Sequence, residues 1–198
     1  MLTFDPQTHE YRHCGRLLPS VTQIIGHYLN TYACVNQAQL DHAAAFGRAV
    51  HSMCAMHLKD TLDMDTLDMQ LIPYLNGFKK FVRDFDLLDD DLIIEQPMCN
   101  NRLKFAGTPD IVIKDGAVID LKTRHYNKRT DPLQLAAYDK LCGGNGNSRP
   151  HLVVEIMPDD YRATKCNDRQ AWPLFSKMLK HYHDTQKLES IITVWRTR

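Results

Sequence analysis

The run from Asp110 to Lys122, Asp-Ile-Val-Ile-Lys-Asp-Gly-Ala-Val-Ile-Asp-Leu-Lys, constrains this chain more than any other. Two apolar, β-branched segments, Asp110–Lys114 and Ala117–Lys122, flank Asp115-Gly116, a strong turn signal, so the run reads as a β-hairpin. Its register follows from where the charges must go. A two-residue loop pairs Lys114 with Ala117 and sets Asp110 opposite Leu121, on the wrong face for Asp120. A three-residue loop, Lys114-Asp115-Gly116 with Gly116 left-handed, pairs Ile113 with Ala117 and sets Asp110 opposite Asp120. Side chains alternate along a strand, so Asp110, Val112, Val118, Asp120 and Lys122 then share one face. Ile111, Ile113, Ala117, Ile119 and Leu121 share the other, which is wholly apolar. The three-residue loop, or an equivalent bulge, is the expected solution.

Two carboxylates held this close repel each other. A hard divalent cation such as Mg²⁺ relieves the repulsion and prefers oxygen ligands. Such a cation polarises a phosphoryl oxygen and acidifies its bound water, which is phosphodiesterase chemistry. Lys122, one strand period beyond Asp120, can orient that water or neutralise charge developing on the phosphate. Charged strand ends that are merely solvated are the alternative for any isolated Asp-x-Lys. Here both aspartates converge from apolar strands, which favours a site.

The pattern resembles the PD-(D/E)XK nuclease superfamily, with Pro109-Asp110 as one half of the signature and Asp120-Leu121-Lys122 as the other. Upstream, Phe46-Gly47-Arg48-Ala49-Val50-His51 is similar to the G-x-x-x-H helix of RecB-type nucleases. Downstream, Gln134-Leu-Ala-Ala-Tyr138 is similar to their Q-x-x-x-Y helix. Leu18-Pro19-Ser20-Val21-Thr22 looks, more loosely, like phage and mitochondrial members of the group.

The resemblance implies a restriction-endonuclease-like core and a Mg²⁺- or Mn²⁺-dependent deoxyribonuclease holding one or two ions. Asp110, Asp120, His51 and the backbone carbonyl of Leu121 would be the ligands, and Lys122 the catalytic lysine. Products would carry 5′-phosphates. A small stand-alone domain resembles phage recombination and replication exonucleases, so exonuclease is the expected activity, in recombination, repair or replication. An endonuclease or nickase with the same centre, and a non-catalytic DNA-binding subunit, remain as alternatives. DNA is the expected partner. No helicase motif is present, so unwinding would fall to a helicase or a single-strand annealing protein.

Other residues have two readings each. His51 sits among Ala49, Val50, Met53 and Cys54, where a core histidine is common. Gly47, one turn earlier on the same face, costs about 1 kcal/mol in a helix relative to alanine, and close packing against a site would explain it. Glu95 lies one strand before the hairpin, either as a third acidic group facing the metal or as an exposed edge charge. Gln134 and Tyr138 share a helix face; they contact phosphate or base, or else Tyr138 is core and Gln134 solvated. Lys122, Arg124, Lys128 and Arg129 form the densest basic group near the site and read as phosphate contacts. Arg48 could reach a phosphate. Ser20 reads first as a helix cap, although its hydroxyl, Thr22 and the helix N-terminus could hold a terminal phosphate. Lys79, Lys80 and Arg83 extend a DNA track or form a solvated helix face. Asp63, Asp65 and Asp68 read as a helix face or cap, Asp89–Asp91 as a solvated turn, and Asp159-Asp160 as a turn.

Length and composition agree with one domain, residues 1–198, large enough for a real core. Residues 1–90 would form an N-terminal hairpin and helices, and residues 91–198 the catalytic core. Acidic and basic residues balance at 24 each, so nucleic-acid binding must rest on a local patch rather than on overall charge. Cysteines 14, 34, 54, 99, 142 and 166 are scattered, with no C-x-x-C. That reads as reduced thiols in a cytosol-like compartment and argues against an iron–sulfur cluster. With no bilayer-length apolar run and no signal peptide, the expected location is the bacterial or phage-infected cytosol.

The expected fold is α/β, a central mainly mixed β-sheet flanked by helices, with an N-terminal helical segment. Residues 2–19, containing Cys14-Gly15, suggest a hairpin. Ser20–Gln23 is a capping box opening a helix to about Leu29. Helices follow over Asn36–Leu58 and over Thr66–Phe85, the latter interrupted at Pro73. Strands are expected over Leu92–Met98 and Leu103–Ala106 before the hairpin. Asp131-Pro132 opens the next helix. Gly143–Ser148 reads as a flexible loop, His151–Met157 as a strand paired by Tyr161–Cys166, and Asp168 as the cap of a helix ending near Leu188.

Overall fold

A computed structural model describes residues 1–29, 36–87 and 91–196. The elements run β1 (Leu2–Asp5), β2 (Glu10–His13), β3 (Arg16–Leu18), α1 (Val21–Tyr28), α2 (Gln37–Leu58), a 3₁₀ turn (Met69–Leu71) and α3 (Ile72–Asp84). They continue with β4 (Leu92–Ile94), β5 (Met98–Asn100), β6 (Phe105–Gly107), β7 (Ile111–Ile113), β8 (Val118–Lys122), α4 (Asp131–Leu141), β9 (His151–Met157), β10 (Asp160–Lys165) and α5 (Ala171–Arg196). Cys34, Asp89 and Asp90 lie outside the described residues; the other five cysteines are free thiols. Among the described residues no helix is long and apolar enough to cross a membrane.

The central sheet has five strands in the order β10-β9-β8-β7-β4. It is mixed: β8 and β9 are parallel and the other neighbours antiparallel. The parallel pair requires a crossover, and α4 supplies it. Strand β8 is buried from Val118 to Leu121 and β9 from His151 to Ile156, as expected of strands covered on both faces. On one face Val112, Val118 and Val153 pack against α1, α4 and α5. On the other, Ile111, Ile119, Leu121, Val154 and Ile156 pack against α2 and α3. The sheet is thus flanked by helices, as expected.

The hairpin adopts the three-residue loop. Ile111 pairs with Ile119, Val112 with Val118, and the Ile113 N–H donates to the Ala117 carbonyl at 2.9 Å. The left-handed residue, however, is Asp115, with φ 58°, not Gly116. Aspartate tolerates that conformation. Glycine is needed next to it for space, because a Cβ on Gly116 would lie 2.6 Å from Ile113 Cγ2.

Other expectations are adjusted. Residues 2–18 form three strands rather than one hairpin, the last two joined by a tight turn at Cys14 (φ 48°) and Gly15 (φ 79°). Pro73 opens α3 instead of interrupting a longer helix, since its missing N–H is harmless in the first turn. The 92–98 strand breaks at Glu95, which is left-handed at φ 49°. The 143–148 loop is organised rather than loose. The buried Asp139 carboxylate accepts from the N–H groups of Gly146 (2.8 Å) and Ser148 (3.0 Å), and Arg149 Nη1 donates to it at 2.9 Å. The end of α2 and the start of α4 fall as expected, but α5 continues past Leu188, its last turns exposing Ile191, Ile192 and Trp195.

Helix α3 is held to the β9–β10 turn through Gly77. A Cβ there would run into the carbonyl oxygens of Met157 and Asp160. Propensity alone makes Gly→Ala in a helix favourable by about 1 kcal/mol. Here Gly77→Ala should instead destabilise by roughly 1–3 kcal/mol, as overpacking does. A urea midpoint equal to or above the parent's would refute this packing.

Candidate metal centre

The register that sets Asp110 opposite Asp120 extends to the next strand. Glu95 directly follows β4, and its N–H donates to the Asp110 carbonyl at 3.0 Å. Glu95, Asp110 and Asp120 therefore form a row of carboxylates across the adjacent strands β4, β7 and β8. The left-handed backbone at Glu95 costs roughly 1–2 kcal/mol, and it falls at the row.

Asp110 is 8% exposed. Its Oδ2 accepts from the Leu121 N–H at 2.6 Å, and its Oδ1 lies 3.2 Å from His51 Nδ1. His51 reaches it from α2, where the neighbouring Val50, Met53 and Cys54 are buried against the sheet and fix the helix. Glu95 Oε1 lies 3.9 Å from the same nitrogen. One ligand atom from each of His51, Glu95 and Asp110 lies within 4.8 Å of the others. One imidazole and two carboxylates are a donor set that could hold a divalent metal ion.

Asp120 stands beside this trio, not in it. Its Oδ2 lies 2.7 Å from Lys122 Nζ as an ion pair, without the alignment of a hydrogen bond. Its Oδ1 accepts from Gln134 Nε2 at 3.0 Å. Gln134 also donates to Tyr138 Oη at 3.0 Å and accepts from Lys122 at 3.3 Å. Thus Gln134 clasps the Asp120–Lys122 pair, where the sequence suggests a substrate contact or a solvated side chain. Tyr138 is buried, packed so close to Gly107 that a Cβ there would lie 2.9 Å from the ring. That explains the glycine of Gly107-Thr108-Pro109-Asp110. By contrast, a Cβ on Gly47 would meet Thr123 Oγ1 at 3.4 Å, ordinary contact, so close packing does not account for Gly47.

The electrostatics follow from charge crowded into a buried place. Burial pulls His51 down, but the Asp110 charge and hydrogen bond, with Asp120 behind them, outweigh burial and Lys122 and push it up to about 9. Burial would raise Asp110, yet His51, Lys122 and the Leu121 N–H hold it below the usual carboxylate range. Burial and then the Asp110 charge push Glu95 up to about 7. Burial, with Asp110 adding to it and Lys122 opposing, pushes Asp120 up to about 6. Burial would lower Lys122, but Asp120 and Asp110 raise it and keep the ammonium charged.

The trio opens on a groove of about 940 Å³ also lined by Ser20, Thr22, Arg48, Lys122 and Tyr138. Ser20 is the α1 cap, its Oγ accepting from the Gln23 N–H at 3.1 Å while Gln23 reaches back to the Ser20 N–H. Arg124 is occupied elsewhere: its guanidinium grips the buried Asp131 carboxylate at 3.0 and 2.5 Å. Lys80 pairs with Asp160 and Arg83 with Asp84, as on a solvated face. Asp63 and Asp68 accept from nearby N–H groups as local caps, Asp91 pairs with Lys114, and Asp159 forms a turn at φ 57°. Sequence reasoning missed the hydrogen bond between Tyr11 Oη and Thr108 Oγ1 (2.8 Å), which ties β2 to the loop before Asp110. It also missed Ser52 and Lys59, although both continue the helical spacing from Arg48.

No family model and no curated protein matches the sequence. Among solved structures, the chain is similar to the crystal structure of SSO0001, with 15% identity over 85% of this chain and 74% of that one, TM-score 0.45. It is also similar to an alkaline exonuclease from Laribacter hongkongensis, with 11% identity over 90% and 91% of the two chains, TM-score 0.47. Neither similarity assigns a family.

A raised histidine pKa stabilises the metal-free fold fully below pH 6.5, the ordinary value, and the contribution is lost as pH rises through about 9. NMR titration of the His51 ring without metal should therefore give a midpoint near 9. Asp110→Asn removes the charge that lifts it and should lower the midpoint well below that. A parent midpoint near 6.5, or no change in the variant, would contradict this pairing.

Proposed function

We propose that this chain is a metal-dependent deoxyribonuclease of the PD-(D/E)XK type, RecB-like, acting as an exonuclease that leaves 5′-phosphates. The observation that carries the reading is the convergence of His51, Glu95 and Asp110 beside the buried Asp120–Lys122 pair, at the edge of one groove. His51, Glu95, Asp110, Asp120 and the Leu121 carbonyl are the groups proposed to hold the ion. When bound, Mg²⁺ or Mn²⁺ supplies a Lewis acid for the phosphoryl oxygen and an acidified water.

The protein's own part is positioning and charge. The carboxylate row is a place where positive charge is wanted, as the raised Glu95 and Asp120 indicate. Lys122, held by Asp120 and Gln134, presents a charged ammonium to the charge developing on the phosphate. Gln134 keeps Asp120 and Lys122 in one arrangement, and Tyr138, whose hydroxyl is pushed well above its usual pKa by burial, stays neutral beside them. The choice of exonuclease, and the phosphate end, rest on the sequence resemblance.

The test uses end-labelled linear DNA and a covalently closed circle, with Mg²⁺, Mn²⁺ or EDTA. Linear DNA should be lost only with metal, circles should survive, and Lys122→Ala should cut the rate by about 10²–10³-fold or more. Cleaved circles would point to an endonuclease. No cleavage at all, with DNA binding intact, would point to a binding subunit.

A further inference from the structure

The groove has two unlike walls. One is the N-terminal sheet, presenting Phe4, Pro6 and His9 above Tyr11. Phe4 stacks on Tyr11 with ring centroids 4.6 Å apart and planes at 28°, and His9 meets both rings edge-on at 5.3 and 5.5 Å. Tyr11 is buried, and its bond to Thr108 fixes this aromatic wall relative to Asp110. The other wall is a stripe of α2 in steps of three and four residues, Arg48, Ser52, Ala55 and Lys59. Arg48 and Lys59 are exposed, and neither forms an ion pair among the described residues. Small and hydroxyl side chains separate them. Glu95, Asp110 and Lys122 line the same groove.

We propose that this groove takes one strand of DNA, bases on the Phe4–His9 wall and backbone along the Arg48–Lys59 stripe, so that the substrate is single-stranded DNA or a single-stranded overhang. The inference deepens, and rests on, the nuclease reading above. Aromatic faces bind bases by stacking, which every unpaired base offers and a base inside a duplex does not. Cations spaced along a helix neutralise phosphates without reading sequence. The volume, about 940 Å³, is at the upper end of small-molecule sites and leaves room for a few nucleotides of one strand.

The test is binding to the full chain in EDTA, where cleavage does not interfere, read by fluorescence anisotropy. Probes are a labelled single strand, the same sequence as a blunt duplex, and an abasic strand of equal length. The single strand should bind at least about 10-fold tighter than either. Phe4→Ala and His9→Ala should each weaken the single strand by roughly 5- to 150-fold, the range of one base–aromatic stack, and leave the abasic strand unchanged. Because Phe4 and His9 both contact Tyr11, each variant is first shown to keep the parent's urea midpoint. Arg48→Ala and Lys59→Ala should weaken intact and abasic strands alike, each reducing the salt slope by about 0.7. Equal binding of the blunt duplex, equal binding of the abasic strand, or no effect of both wall variants would overturn the proposal. Metal-dependent cleavage that prefers blunt duplex would overturn it and leave the nuclease reading standing. Single-strand binding as expected, with no cleavage under any metal, would keep the groove assignment and overturn the nuclease reading instead.

Discussion

Three carboxylates in one row across adjacent strands are the constraint on which the rest of this structure depends. Asp120 is fully buried and Asp110 nearly so. Like charges cannot share such a place without compensation. The chain meets the need from three directions. Helix α2 brings His51 to Asp110, the strand itself returns Lys122 to Asp120, and the Leu121 N–H closes on Asp110. Burial, with the Asp110 charge adding to it, still raises the pKa values of Glu95 and Asp120. That residual demand for positive charge is the physical basis for expecting a cation here.

The compensation explains the architecture around the site. Gln134 takes its orientation from its neighbours, since an amide between a carboxylate and an ammonium must give its nitrogen to the first and its oxygen to the second. Tyr138 completes the clasp and presses on Gly107, which is why the loop entering Asp110 begins with glycine. Removing one partner of a buried pair commonly costs about 3–5 kcal/mol, so substitutions at Asp120 or Lys122 act on folding as well as on the proposed chemistry.

Much of this was legible in the sequence because β-strands have a strict period. Once Asp110 and Asp120 must share a face, one loop length follows, and with it the two-faced burial of β7 and β8. The capping box at Ser20 and the proline start of α4 were readable from local chemistry. Four things were not. The left-handed residue of the turn passed from Gly116 to Asp115 because the glycine was needed for clearance against Ile113. The 143–148 loop looked loose because its organiser, Asp139, is a buried acid on the preceding helix, and local composition carries no sign of it. The aromatic wall was invisible because only the tertiary fold brings Phe4, His9 and Tyr11 to the groove that the α2 stripe also lines. Arg124, read as a phosphate contact, is held by Asp131, a partner seven residues away that sequence spacing does not identify.

The most direct test of the central claim is to locate the ion. Crystals grown with Mn²⁺ can be measured for anomalous scattering at the manganese edge. A peak within coordination distance of His51, Glu95 and Asp110 is the expected result, accompanied by a shift of Lys122 or Asp120 from their present pairing. A crystal saturated with Mn²⁺ that shows no peak there, or a peak only at exposed acids such as Asp63 and Asp65, would contradict it.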